Sequence, residues 1–392
     1  MKKKTNFAIG AFYFFYFAAH VCAMSYMNVY LEKYLHFTGS QLGAFSGISV
    51  LSSVFLIPVW GVIGDKTKHY KTLLLSFLTG VLLVSFIFSR QTTYLGALVM
   101  GILLEASRCG ILSMADTQTM NYCSETKGNY GRFRSMGSIG WVIGGMILGY
   151  LAAEIGLNVV LFPTYMLVIG LALLMATGFP KVKAGRRAAE DPAEKKKKGD
   201  IKVLFKNKDY LFILMITVMT GVMADGITSF MGNHLIFTLG GTEKLISLNT
   251  ILCAVPEILY LGILSNKLLP KLGFRKVYLI SGFALVIRFA IYSLASNPYI
   301  FLMGSVLHCF TVGCTTVVNL AYVRKKVPIE VYGTAVTVMY SANTLGRAMY
   351  GYIYGLLYEK LGSVTIFMFT FCVVSVAAVM MYRTKRFDVE YN

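Results

Sequence analysis

Charged side chains are scarce in this chain: only 14% of its 392 residues are Asp, Glu, Lys or Arg, against about 25% in a soluble globular protein. That scarcity argues against a soluble globule. Seven cysteines (Cys22, Cys109, Cys123, Cys253, Cys309, Cys314 and Cys372) lie scattered, with neither metal-ligand spacing nor a paired extracellular pattern. They read as small apolar packing residues, and no metal or cofactor is expected. No His-x-x-x-His and no Gly-x-Ser-x-Gly occurs, and the dispersed Cys and His offer no nucleophile–base pair, which argues against an enzyme. No repeated polar rings mark a channel pore. The weak ten-residue alternation of a membrane β-barrel is missing as well.

Present instead are apolar runs of about 20 residues, the length that crosses a bilayer as a helix. They recur at 6–30, 43–63, 71–89, 94–116, 134–154, 158–179, 210–238, 245–265, 277–296, 299–323, 333–357 and 363–382. The expected fold is an all-α membrane protein of twelve transmembrane helices. The start, Met-Lys-Lys-Lys before an apolar run, superficially resembles a signal peptide. The run is too long and no small-residue cleavage site follows, so it reads as an uncleaved first span.

The 37 Lys and Arg residues sort by side. With the N-terminus in the cytoplasm, thirty fall in the tails, the loops of one side and the central linker. Lys33, Arg90, Lys244 and Lys360 fall on the other side, and Arg108, Arg288 and Arg347 lie inside spans. This is the positive-inside pattern, and it places both termini in the cytoplasm of a multi-pass cell-membrane protein. A net charge of +19 could suggest nucleic acid. Its concentration in short loops on one face favours anionic lipid headgroups instead.

One long break interrupts the spans, with few apolar residues and the run Lys195, Lys196, Lys197, Lys198 at its centre. It divides the chain into a six-helix half at 1–180, a cytoplasmic linker at 181–209 with a surface helix expected at 201–205, and a second half at 210–392. The halves echo each other. Gly61-Val62-Ile63-Gly64-Asp65-Lys66 with Lys71 follows span 2, and a degenerate copy, Leu264-Ser265-Asn266-Lys267 then Lys271-Leu272-Gly273-Phe274-Arg275-Lys276, follows span 8. Two related halves imply a transporter with a midplane cavity between them.

Gly61-x-x-Gly64-Asp65-Lys66 with Lys71 resembles the loop 2–3 signature of the major facilitator superfamily, with Lys68 where glycine is usual. Asn6-Phe7 before the aromatic run Phe12 to Phe17, and Gly131-Arg132-Phe133-Arg134-Ser135-Met136-Gly137-Ser138-Ile139-Gly140-Trp141, are similar to the lactose permease group. Leu264-Ser265-Asn266-Lys267-Leu268, Ile287-Arg288 and Leu307-His308-Cys309 resemble the related phenylpropionate permeases. The resemblance implies a monomeric solute:proton symporter working by alternating access.

In the first half the resemblance implies that Asp116, at the end of span 4, and Arg134, opening span 5, bind sugar hydroxyls while Trp141 stacks on the ring. The chemistry suits those roles: a carboxylate accepts, a guanidinium donates in a planar fork, and an indole offers an apolar face. Arg134 and Trp141, seven apart, share a helical face. The same residues also admit a structural reading, an Asp116–Arg134 pair with Trp141 as an interfacial anchor. Glu105 and Arg108 stand one turn apart in span 4, where mutual pairing offsets the cost of burying either charge. They read as a structural ion pair or as a cavity-facing pair, with His20 beside them. The stripe Tyr13, Phe14, Tyr16, Phe17, Tyr26 and Tyr30 reads as lipid-facing and packing material.

In the second half Glu257, Arg288 and His308 are isolated polar groups in three successive spans. A carboxylate beside an arginine and a histidine can exchange a proton, because burial favours its neutral form and the arginine its charged form. The resemblance implies that these residues couple protons; a buried structural Glu257–Arg288 pair is the plainer reading. Asp225 is a second proton-coupling candidate. Three residues after the histidine, where lactose permease carries its proton on a glutamate, stands Thr311. Arg347, near Asn343 and followed by Gly351 and Gly355, could contact a carboxylated solute or pair with Asp225.

The expected function is proton-coupled uptake of a small organic solute, a sugar or oligosaccharide first. The alternatives are an aromatic or other small carboxylate, an exporter or uniporter of the same fold, and a ligand sensor that moves nothing.

Overall fold

The computed structural model describes residues 2–67, 69–180, 202–313 and 317–388. Most of the expected linker, Lys68, Cys314 and the side chains of Asp65, Ser265 and Asn266 lie outside that description. Among the described residues the chain is helical throughout, with no strand. Among those residues ten helical spans are long and apolar enough to cross a membrane. The run at 333–357 lies within one helix of 33 residues, Ile329–Leu361. The run at 299–323 is not one continuous helix: Pro298–Ser305 ends in a turn before His308–Gly313, and Asn319–Lys326 follows beyond residues outside the description. Such breaks are tolerated at membrane depth only where neighbouring protein satisfies the freed backbone groups.

The chain forms two compact units, 1–190 with 242–247, and 191–241 with 248–392. The first holds α1 (Lys2–Leu35), α2 (Gly39–Thr67), α3 (Tyr70–Phe88), α4 (Tyr94–Arg108), α5 (Ile111–Thr126), α6 (Tyr130–Ile155) and α7 (Leu157–Thr177). Span 4 therefore runs on to Thr126, broken at Cys109–Gly110, and Asp116 sits in the second turn of α5 rather than at the span's end. Gly156, at φ +108°, lets α6 turn directly into α7.

α1 packs chiefly on α6 and α7. Its close approach to α6 runs along Gly137, Gly140 and Gly144. A Cβ on Gly140 would lie 2.7 Å from the Phe14 carbonyl carbon, and one on Gly144 2.6 Å from Ala18 Cα. Small residues here let two backbones meet and gain dispersion contacts, the main attraction between helices in lipid. The tyrosines of the α1 stripe are packing material: Tyr13, Tyr16, Tyr26 and Tyr30 are buried, while Phe14 and Phe17 are half-buried. Tyr26 Oη, for instance, donates to the Gly145 carbonyl at 3.1 Å. A phenolic hydroxyl needs a partner, and the partners lie inside.

The loop signature has a visible task. Lys71 Nζ donates to the Thr177 and Phe179 carbonyls at 2.5 and 2.7 Å. It caps the C-terminal end of α7, where the orphan carbonyls and the helix dipole favour a cation. Gly64 is overlaid by Met114 and Tyr70, each 3.1 Å from where a Cβ would stand, whereas Gly61 is open and Lys66 exposed.

The second unit carries α8 (Lys202–Lys206), near the expected surface helix, and a span 7 built in pieces. These are α9 (Lys208–Thr217), a π-helical turn Val218–Val222, α10 (Met223–Gly226), α11 (Thr228–Asn233) and a second π turn His234–Thr238. Then follow α12 (Glu243–Ile263), a π turn Leu264–Leu268, α13 (Leu269–Leu294), α14 (Pro298–Ser305), α15 (His308–Gly313), α16 (Asn319–Lys326), α17 (Ile329–Leu361) and α18 (Ser363–Arg383). α13 is kinked at Gly273, which takes φ +72°.

Past α18 the tail folds back onto its own unit. Phe387 stacks on Tyr278 at 4.0 Å and meets Tyr322 edge-on at 5.3 Å. Arg386 reaches Asp209 at 2.8 Å, which also holds Lys326 at 3.0 Å, and Asp388 pairs with Arg275 at 2.6 Å.

Gly140→Val should lower the thermal midpoint of the detergent-solubilised protein, by overpacking that costs about 1–3 kcal/mol or more. Gly170→Val, where a Cβ meets nothing within 4 Å, should leave the midpoint within error. Equal midpoints for the two variants would show that the α1–α6 approach is not close-packed.

Candidate functional site

In the first unit four of the sequence-selected residues converge. The Arg108 guanidinium donates to the Glu105 carboxylate through Nε at 3.0 Å and more closely through Nη2, while its Nη1 stands 3.0 Å from His20 Nδ1. His20 lies between aromatic rings, with Tyr16 stacked at 6.0 Å and Trp141 tilted at 5.6 Å. A turn of α1, a turn of α4 and the middle of α6 thus place a carboxylate, a guanidinium, an imidazole and an indole together. Glu105 and Arg108 meet because i and i+3 face one side of a helix. Tyr165 of α7 stands beside the same pair.

Asp116 and Arg134 are arranged differently. Asp116 accepts from Tyr13 Oη at 2.6 Å. Arg134 lies over the Phe17 ring, its guanidinium carbon 4.2 Å from the ring centre, a cation–π contact. Among the described residues no ion pair joins Asp116 to Arg134, and Tyr130 stands beside both. Asp116 is held by Tyr13 with Tyr130 beside it, and Arg134 lies over both the Phe17 and the Tyr13 rings. A carboxylate accepts about four hydrogen bonds and a guanidinium donates about five, so each keeps polar capacity unused. Tyr13 is the partner that sequence reasoning missed, because a tyrosine in an aromatic run looks like its neighbours. Only the fold shows its hydroxyl turned to Asp116.

In the second unit the polar groups form two sets. Glu257 Oε2 of α12 lies 3.8 Å from His308 Nε2 of α15. Arg288 of α13, 1% exposed, donates from Nε to Tyr292 Oη at 3.2 Å and from Nη1 to Thr311 Oγ1 at 3.3 Å. The Phe289 and Tyr292 rings flank it at 5.4 and 5.2 Å. No carboxylate pairs with it among the described residues, so a Glu257–Arg288 bridge is not what holds these helices. Thr311 acts as a neutral acceptor for the arginine.

Tyr292 Oη continues to Ser305 Oγ at 3.0 Å, which donates to Asn249 Oδ1 at 2.6 Å. Asn249 escaped the sequence reading, yet Asn249, Cys253 and Glu257 stand at four-residue steps on one face of α12. Asp225 sits in α10 between the two π turns, with Asn343 and Arg347 of α17 and Arg288 beside it. Irregular helix at that point is a frequent mark of a functional position. His234, buried with Nδ1 2.7 Å from Ser363 Oγ between the Phe301 and Phe367 rings, also escaped the reading. It meets the criterion that selected His20 and His308, a polar group in an apolar run.

The MFS_1 like family model matches residues 7–369. The chain belongs to that family. It is a multi-pass membrane transporter with the major facilitator fold, and not an enzyme. A maltose permease of Geobacillus stearothermophilus is 26% identical over 388 residues, covering 98% of this chain and 95% of the relative. An uncharacterized transporter of Bacillus subtilis, YwbF, is 26% identical over 352 residues, covering 86% and 82%. Among solved structures, the nucleoside transporter NupG superposes with a TM-score of 0.84 at 15% identity, covering 97% of this chain and 100% of that one. A D-xylose-proton symporter superposes at 0.68 and 15% identity, covering 99% and 98%. At such identities the two structures show the fold.

Glu105→Gln removes the only carboxylate paired with Arg108 among the described residues. It should destabilise the protein by roughly 3–5 kcal/mol, the cost of leaving a buried charge without its partner. The double variant Glu105→Gln, Arg108→Gln should recover most of that loss. Thermal unfolding of the purified protein measures both; a single variant as stable as wild type would mean the pair is not buried in this way.

Proposed function

We propose that this transporter is a proton-coupled symporter of the cell membrane that takes up a small organic solute by alternating access, with a sugar or oligosaccharide favoured. The observation that carries the reading is the Trp141 ring beside His20, Arg108 and Glu105. A sugar offers an apolar ring face and a rim of hydroxyls. An indole serves the first, and a guanidinium–carboxylate pair can donate to and accept from the second. Asp116 and Arg134, each with polar capacity unused, extend the same surface. The likeness to a maltose permease supports this choice of solute.

Proton coupling rests on Glu257 facing His308. A half-buried carboxyl next to an imidazole can hold a proton in one state of the cycle and release it in another. Asp225, between its π turns and near Arg347, is the second carrier in this reading. Thr311 holds no proton, and its contact with Arg288 leaves Glu257 free of that arginine. The chain acts as a monomer in the cytoplasmic membrane with both termini inside, a topology supported by the sorting of its Lys and Arg residues.

One observation favours a second class of solute. Arg288 is buried with hydroxyls and ring faces around it and no carboxylate paired to it among the described residues. Asp225 stands beside Arg288 without an ion pair to it, and a small carboxylate, aromatic or not, would supply a directly bonded anion.

Proteoliposomes offered labelled maltose, xylose, phenylpropionate and benzoate, with and without an inward proton gradient, test both readings. The expected outcome is accumulation of a sugar only under the gradient, and loss of accumulation but not of exchange in Glu257→Gln. Gradient-independent uptake with a silent Glu257→Gln would overturn proton coupling through this residue. Accumulation of a carboxylate that Arg288→Gln abolishes would replace the sugar by an anion.

A further inference from the structure

A groove of about 490 Å³ opens between α1 and α6 at the end of the first unit that carries the N-terminus. Its floor is Gly10 and Ala11; Phe7, Phe14 and Phe15 line it from α1, and Phe133 and Met136 from α6. Two further residues line it, Asn6 and Arg132, and no acidic side chain does. Asn6 is already engaged, since its Oδ1 accepts from Tyr122 Oη at 2.7 Å. Arg132 is exposed, and its guanidinium makes no hydrogen bond or ion pair among the described residues. Lys3 and Lys4, also exposed, begin α1 one turn before the groove.

The groove therefore has an apolar trough set into two membrane-spanning helices, with an unengaged cation at its side and further cations at its end. That pattern does not suit a sugar, which needs several donors and acceptors along its length. None of Glu105, Arg108, Asp116, Arg134 or Trp141 lines it. It suits a molecule with a long apolar part and a single anionic group at the membrane surface.

We infer that this groove binds one anionic phospholipid, with an acyl chain along Phe7, Phe14 and Phe133 and its phosphate against Arg132. A guanidinium matches phosphate oxygens in a planar fork. The neighbouring Lys3 and Lys4 add the attraction of a basic juxtamembrane segment for an anionic leaflet. Gly10 keeps the floor low. A Cβ there would meet Met136 at 3.7 Å and Phe133 at 4.0 Å, ordinary contact distances. A larger side chain at this position can thus fill the trough without moving either helix.

Native mass spectrometry of the full-length, delipidated protein tests this. The protein is offered an equimolar mixture of phosphatidylglycerol and phosphatidylcholine with identical acyl chains, and separately glycerol phosphate without chains. The wild type should retain phosphatidylglycerol about fivefold over phosphatidylcholine, the ratio expected for one basic contact at an anionic surface. Arg132→Gln should remove most of that preference, leaving only the small part due to Lys3 and Lys4, and Gly10→Leu should reduce retention of both lipids. Lys360→Gln, a basic residue elsewhere, should leave the ratio unchanged. A wild-type ratio of one, or a preference undiminished in Arg132→Gln, overturns the assignment. Glycerol phosphate held as well as the lipid would show a phosphate site with no use for the trough, which overturns it too.

Discussion

An arginine side chain does not give up its charge, so each one inside a membrane-spanning bundle dictates what must surround it. The two units meet that demand differently. Arg108 is matched by Glu105, and His20 and Tyr165 stand beside the pair. Arg288 is met by the hydroxyls of Tyr292 and Thr311 and by two ring faces. The first solution neutralises the charge. The second only solvates it, and it recruits a chain of polar groups to do so: Tyr292 leads to Ser305, and Ser305 to Asn249. Three helices of the second unit are held in register by that chain. Glu257 is left to face His308 instead of an arginine.

The backbone shows where regular helix was given up. Span 7 is interrupted by two π turns with Asp225 between them. Span 10 is broken just before α15, which carries His308 and Thr311. Interrupted helices inside a bilayer need neighbouring groups to satisfy the freed amides and carbonyls, so they survive only within protein or beside water. In this unit the interruptions coincide with the titratable side chains, and α18 with the part of α13 after its Gly273 kink supplies the frame. Among its described residues the first unit has such a break at Cys109–Gly110, directly after Arg108.

Composition and run length were enough to read a helical membrane protein, because the cost of an apolar run in water and of an open amide in lipid leaves few alternatives. Glu105–Arg108 was legible from i, i+3 spacing alone. What could not be read depends on long-range placement. Asp116 was placed at a helix end because polarity rises there, yet α5 continues for ten residues beyond it. Tyr13 and Tyr26 were read among lipid-facing and packing aromatics without their partners, since a sequence does not show which way a hydroxyl turns. The loop signature was recognisable, but the partner of Lys71 lies more than a hundred residues away at the end of α7. Asn249 and His234 are a separate case: both were visible as polar residues in apolar runs, and Asn249 also by its four-residue steps to Glu257.

The tail after α18 bears on how the second unit is tied together. Phe387 fills an aromatic niche of Tyr278 and Tyr322, and Arg386 and Asp388 lock onto Asp209 and Arg275. The Arg386–Asp209 contact spans 177 positions of sequence. One short segment therefore clasps α9, α13 and α16 at once, and a fault in it loosens three helices rather than the tail alone.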